Sequence, residues 1–308
     1  NSALGVAVKA GDTITYTVRV NHTPASTATA YNVVITDVIP DFFTYKPGSL
    51  QVSPAANATA TGDQNITVTF DTVGQISPTL IITYAVTVDA AAEPSTPLTN
   101  TAATAYSSMP GLNPYERTGS GGVNDYYTST QSAVRTGDLA IQKILLDDRN
   151  YTIGEAVTYT IFITLPTGST RTRPVITDTI PAGMRYDPTS SFLSLVTTPT
   201  FALPAYTVTQ NPAGGGSGSA ASTATLAFND SLSNTTGGPA TIAWTLRLIV
   251  ADVASANHND VKPNSAQVGY VNANNQPQVL STNPVSITLV EPTLIVEKSV
   301  DPESARPG

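Results

Sequence analysis

One pattern occurs twice in this chain, and that repeat limits what it can fold into more than any other feature. GDTITYTVRV (Gly11 to Val20) returns as GEAVTYTIFI (Gly154 to Ile163). NVVITDVIPDFFTY (Asn32 to Tyr45) returns as PVITDTIPAGMRY (Pro174 to Tyr186), with Asp37 against Asp178, Pro40 against Pro181 and Tyr45 against Tyr186. Each copy continues into an alternating run, LIITYAVTVDA from Leu80 or ATIAWTLRLIV from Ala240. Each then reaches LTNTAATAY or KPNSAQVGY, which puts Asn100 against Asn264. A pattern that recurs in order and spacing marks a tandem array of one structural unit.

The repeated runs alternate apolar and polar residues, are rich in Val, Ile, Thr and Tyr, and are broken by Gly, Pro and Asn turns. That is the signature of half-buried strands. Seven to nine strands per copy predict an all-β chain of two tandem immunoglobulin-like Greek-key sandwiches. The expected units are 1–136, which lacks a clear opening strand and carries an irregular segment at 107–127, and 137–291, with a Gly and Ser rich insertion at 211–222 that reads as a flexible loop. A third copy begins at 292–308: PTLIVEKSVDPESARPG resembles GDLAIQKILLDDRNYTIG, placing Lys298 against Lys143. The segment therefore lacks an opening strand at one end and carries a surplus one at the other. That extra C-terminal strand either opens a third repeat or serves as a donor strand to a neighbouring chain.

Charge narrows the function. Fourteen Lys and Arg against 22 Asp and Glu, with no basic run, offer nothing to a polyphosphate, so nucleic acid is not expected as a partner. No apolar stretch is long enough to span a bilayer in this segment. With no cysteine there are neither disulfides nor thiolate metal sites. The two histidines, His22 and His258, have no metal or nucleophile spacing, so no metal, no cofactor and no enzymatic activity are expected.

The order LxIxK, GDTxTY, VxxTDxIPxGxxY and a late TNTA strand resembles the DUF11 repeat of bacterial and archaeal surface proteins, over nearly the whole chain. It is also similar to CnaA-like domains of pilins and adhesins. The latter resemblance implies an intramolecular Lys to Asn isopeptide bond, which requires a neutral amine, a carboxamide and a protonated acid. Residues two apart share a strand face, so Lys143 joins Leu139, Ile141 and Leu145, while Asp178 joins Ile176 and Ile180. Asn264 joins Ala266 and Val268. Lys143, Asp178 and Asn264 are thus the candidate isopeptide site, the opposing expectation being an Asp178 that stabilises a turn and a Lys143 that reaches solvent. In the first copy Asp37 and Asn100 are in phase, and no lysine precedes them in phase, Lys9 included. Lys298 is in phase on the surplus strand, which makes Lys298, Asn100 and Asp37 a candidate interdomain or intersubunit isopeptide site.

These readings predict a structural repeat subunit of an extracellular filament, sheath or stalk, whose partners are copies of itself in a linear or helical assembly. The alternative is the stalk of a large surface adhesin or an S-layer protein. Sequons at Asn21, Asn57, Asn65, Asn150, Asn229 and Asn234 are candidate glycosylation sites. Tyr115, Tyr126 and Tyr127 are candidates for stacking on surface glycans or for interdomain packing. Asp147 with Asp148, and Asn257 to Asp260, lack the ligand register of a calcium loop.

Overall fold

The structure, a computed structural model, describes residues 7–55, 57–61, 64–121, 125–169, 172–196 and 201–299. The first copy forms β1 (Thr13–Val20), β2 (Ala30–Val38), β3 (Phe43–Tyr45), β4 (Gln51–Ser53), β5 (Asn57–Thr61), β6 (Asn65–Val73), β7 (Leu80–Val88), β8 (Pro97–Ser107) and β9 (Tyr127–Arg135). The second forms β10 (Ala140–Leu145), β11 (Ala156–Leu165), β12 (Val175–Ile180), β13 (Met184–Tyr186), β14 (Phe192–Leu195), β15 (Tyr206–Asn211), β16 (Ser222–Phe228), β17 (Ala240–Val250), β18 (Val261–Val271), β19 (Pro277–Ser281) and β20 (Val285–Thr288). Among the described residues helix is confined to two single 3-10 turns, at Pro188–Ser190 and Ala213–Gly215, and no helix is long and apolar enough to cross a membrane.

Each copy is a pair of antiparallel sheets. In the first, β1-β7-β3, with β4 also on β7, faces β5-β6-β2-β8-β9. In the second, β10-β11-β17-β13, with β14 also on β17, faces β15-β16-β12-β18-β19, with β20 also on β18. The chain crosses repeatedly between the sheets, in the first copy from β1 to β2, β2 to β3, β4 to β5, β6 to β7 and β7 to β8, as in a Greek key. β7 alternates buried and half-buried residues along its whole length, and the inward set, Leu80, Ile82, Tyr84, Val86 and Val88, belongs to one continuous core. Trp244, Tyr159 and Ile161 do the same work in the second copy, where full burial of an aliphatic side chain such as Ile161 contributes about 1.5–3 kcal/mol.

The copies differ at one edge. β10 pairs with β11 over six residues, Lys143 standing opposite Ile161. β1, the counterpart of β11, is an end of its sheet among the described strands. The surplus C-terminal segment does not form a strand in its described part: 292–299 is exposed and unpaired, with Leu294, Ile295 and Val296 more than four-fifths in solvent. Residues 300–308 lie outside the described ones.

The Gly and Ser rich insertion departs from the sequence expectation of a flexible loop. It packs down: Gly183 N donates to Gly218 O at 2.7 Å, and Gly215 is buried. Four glycines, at 214, 215, 216 and 218, take positive φ, which lets so short a segment fold back on β13.

Candidate crosslinking site and strand edge

Lys143, Asp178 and Asn264 come from three strands and two sheets. β10 carries Lys143 on its inward row with Leu139. β12 pairs with β18 so that Asp178 stands opposite Ala266, two residues along the same face from Asn264. The Lys143 and Asp178 side chains have no exposure, and Lys143 Nζ donates to Asp178 Oδ2. Lys143 Nζ also lies 4.6 Å from the centre of the Tyr159 ring. Asn264 is fully buried. Its amide lies near enough to the Asp178 carboxyl to hold that pKa back, yet neither amide atom makes a hydrogen bond of good geometry.

Burial dominates the electrostatics. It pushes the Lys143 amine down and the Asp178 carboxyl up, each against the opposing pull of its partner. The favoured direction is a neutral amine beside a protonated acid, the state in which a lysine is a nucleophile and an acid can protonate a carbonyl.

The first copy repeats the acid and the amide without a lysine. Asp37 and Asn100 are buried, and Asn100 Nδ2 donates to the Tyr84 hydroxyl at 2.7 Å. Burial raises the Asp37 carboxyl above the ordinary value, while Tyr84 and Asn100 restrain it. Neither Asp37 oxygen has a partner of good geometry. Tyr84 occupies the place of Leu246, as the pairings Tyr16 with Tyr84 and Tyr159 with Leu246 establish. Its hydroxyl is pushed far up by burial and by the Asp37 charge, and its ring stacks on Tyr16 at 5.6 Å. Sequence reasoning missed Tyr84, because an aromatic on the inward row of an alternating strand reads as core.

Beside β1 the surface opens into a groove of about 310 Å³, lined by Val18, Val20, Ile35, Ala102 and Thr104 among others. Lys298 is exposed and is not brought to Asp37 or Asn100 of its own chain. Lys9 points away, paired with Asp12 at 2.8 Å.

Asn234 is corrected as a glycosylation candidate: it is fully buried, and Nδ2 donates to the carbonyls of Leu165, Pro166 and Gly238. A glycan there would have no room. Asn21, Asn65, Asn150 and Asn229 are exposed. Asn57 begins β5, and its side chain lies outside the described residues. Tyr126 stacks on Tyr106 at 4.9 Å within the first copy, at the end away from the second. Asp147 pairs with Arg149 and Asp260 with Lys262, and no cluster among the described residues has the make-up of a metal site. His22 bonds Ser26 and the Val73 carbonyl, and His258 accepts from Glu291 N.

No family model matches the chain, and no curated protein matches it. Among solved structures it is similar to a chain described as BspA_C_mut, at 11% identity over 92% of this chain and 94% of that one, with a TM-score of 0.39. It is similar also to BcpA, the major pilin subunit of Bacillus cereus, at 11% identity over 90% of this chain and 69% of that one, TM-score 0.37. The pilus backbone RrgB of Streptococcus pneumoniae matches at 12% identity over 50% of this chain and 80% of that one, TM-score 0.34. These are distant likenesses, and the fold stands on the strand pairing described above.

Proposed function

We propose that the chain is a structural repeat subunit of an extracellular filament, sheath or surface stalk, of the kind the DUF11 and CnaA-like resemblance implies, joined head to tail by strand donation. The observation that carries this reading is the mismatch of edges. Among the described strands β1 is an end of its sheet beside an open groove, while an exposed segment elsewhere has the pattern of the strand that fills the same place in the second copy. Within the chain, the residues that leave the first copy at Thr136 become β10 of the second. Those that leave the second at Leu289 do so at the equivalent point: Val8 bridges Thr136 as Tyr151 bridges Leu289, both in parallel. Laid on β1 in the β10 register, Lys298 stands opposite Val18 and Val296 opposite Val20, the counterparts of Ile161 and Ile163. A heterologous contact of this kind repeats without closing.

The same placement gives the chemistry. In the second copy the neutral Lys143 Nζ attacks Asn264 Cγ while Asp178 lends its proton to the carbonyl oxygen. The new C–N bond forms, the carboxamide C–N bond breaks, ammonia leaves, and Asp178 relays the proton from the attacking amine to the leaving one. At the joint between copies Lys298, Asn100 and Asp37 take these roles. Each bond lowers the mass by about 17 Da. Intact mass of the folded chain tests the internal bond. Removal of Pro292 to Gly308 tests the joint: end-to-end assembly, read by electron microscopy, is expected to cease, and unchanged filaments would overturn strand donation. Isolated flexible strings in place of ordered filaments would favour the adhesin stalk instead.

A further inference from the structure

Resting on strand donation as its starting point, we infer that the 107–121 segment after β8 of one copy is the docking surface for the 251–260 turn of the copy that donates its tail. The joint inside the chain is the template. There the β7–β8 turn of the first unit meets the β18–β19 hairpin of the second. Ser95 Oγ lies 2.5 Å from the Tyr270 hydroxyl, Asn272 Nδ2 donates to Ser95 O at 3.1 Å, Ala273 N to Thr96 Oγ1 at 3.1 Å, and Asn274 Nδ2 to Pro97 O at 3.0 Å.

Each half of this joint has a counterpart at the opposite end of the molecule. The turn before β18 matches the turn before β8: Asn259 and Ser95 both take left-handed backbone, at φ 67 and 59, each two residues before its strand. The loop after β8 matches the hairpin after β18, since Tyr106 aligns with Tyr270. The tail leaves from the free turn, with Glu291 N on His258 Nδ1 at 3.1 Å and Asn259 N on Leu289 O at 2.8 Å. Gly137 likewise leaves from the turn at Thr96, where Thr136 N donates to Thr96 O. A tail that enters the β1 groove in the β10 register begins opposite Asn21, at the end of the first unit where the 107–121 segment sits.

That loop is built to present a surface. Ser108 N donates to Arg117 O and Arg117 N to Ser108 Oγ, Asn32 Nδ2 holds Ser107 Oγ at 2.8 Å, and Tyr126 clamps Tyr106. On this frame Met109, Leu112 and Tyr115 point outward, Leu112 and Tyr115 almost wholly in solvent. Apolar side chains held out by a fixed frame offer a surface to a partner. The occupant is a second copy, because continuation of the internal joint puts its 251–260 turn there.

The test uses the full chain with Leu112→Glu and Tyr115→Glu, positions too exposed to carry the fold, beside a control with Phe192→Glu and Val279→Glu. Assembly is followed by light scattering. The loop variant is expected to assemble at least about tenfold more slowly, while the control keeps the wild-type rate. Equal rates for loop variant and wild type overturn the docking surface. A synthetic Pro292 to Gly308 peptide is titrated separately onto wild-type and variant chains shortened to end at Glu291. Equal binding by both is expected, because the groove is untouched. A peptide that binds neither overturns strand donation, and this inference with it. Peptide binding with equal assembly rates overturns docking alone.

Discussion

A carboxyl buried without a cation sets the behaviour of the first unit at the scale of single residues. Asp37 loses stability for the fold as pH rises, and the sign follows from linkage. The unfolded chain ionises this group near the ordinary aspartate value of 3.8, whereas burial makes the folded chain hold its proton to higher pH. Above 3.8 the folded state binds more protons than the unfolded state, so stability falls with pH until the folded group ionises too. Asp37→Asn is therefore expected to match wild type near pH 3 and to exceed it by about 1–3 kcal/mol at pH 7, in urea denaturation of the tail-less chain. The same variant cannot shuttle a proton, so it is expected to take up the tail without losing ammonia. Tyr84→Phe acts in the opposite direction: it strands the Asn100 amide and costs about 1–3 kcal/mol, with the larger loss at pH 7, where the Asp37 carboxyl also misses the hydroxyl that favours its charged form, measured in the same way. The interior positions of Asp37, Asp178 and Asn264 were legible from period-2 phase alone. Tyr84 was not, because only the change from Leu246 to tyrosine at one paired position marks it as more than core.

At the scale of strands, the two faces of the tail are unequal. In the β10 register Val296 and Lys298 turn into the groove, and Glu297, at the place of the exposed Gln142, turns outward. Val296→Asp is expected to weaken uptake of a Pro292 to Gly308 peptide by more than about tenfold, since an unpaired charge enters an apolar slot, whereas Glu297→Lys binds as wild type. Equal loss in both would mean that the two faces of the tail are contacted alike and that it does not enter as a strand in the β10 register. Strand existence and phase were readable from alternation and turn residues. What alternation cannot convey is which loops pack. The 211–222 insertion has the composition of a linker, and its order comes from contacts with β13 and the 251–255 turn that are remote in sequence. The interdomain hydrogen bonds of Ser95, Asn272 and Asn274 escaped for the same reason, being polar turn residues without periodicity.

At the scale of the molecule, the open first unit and the closed second unit should part company on heating. The second has β10 in place, with the Lys143–Asp178 pair sealed in its core, and its larger apolar cluster runs through both sheets. Among the described strands the first has none in that place, and its buried acid has no cation beside it. Scanning calorimetry of the tail-less chain is expected to show two transitions, the lower belonging to the first unit. A ligand that binds only the folded form of that unit raises its stability by about 2.7 kcal/mol at a hundred times its dissociation constant. For a unit of roughly 130 residues that is a shift of about 10 °C. The Pro292 to Gly308 peptide should therefore move the lower transition by about that amount and leave the upper one where it is. Should covalent capture follow, the shift would persist after free peptide is removed, and Asp37→Asn would abolish the persistence while keeping the reversible shift. A peptide that moves the upper transition instead would place its binding in the second unit, where β10 already fills the edge, and would break the link between the open edge and assembly.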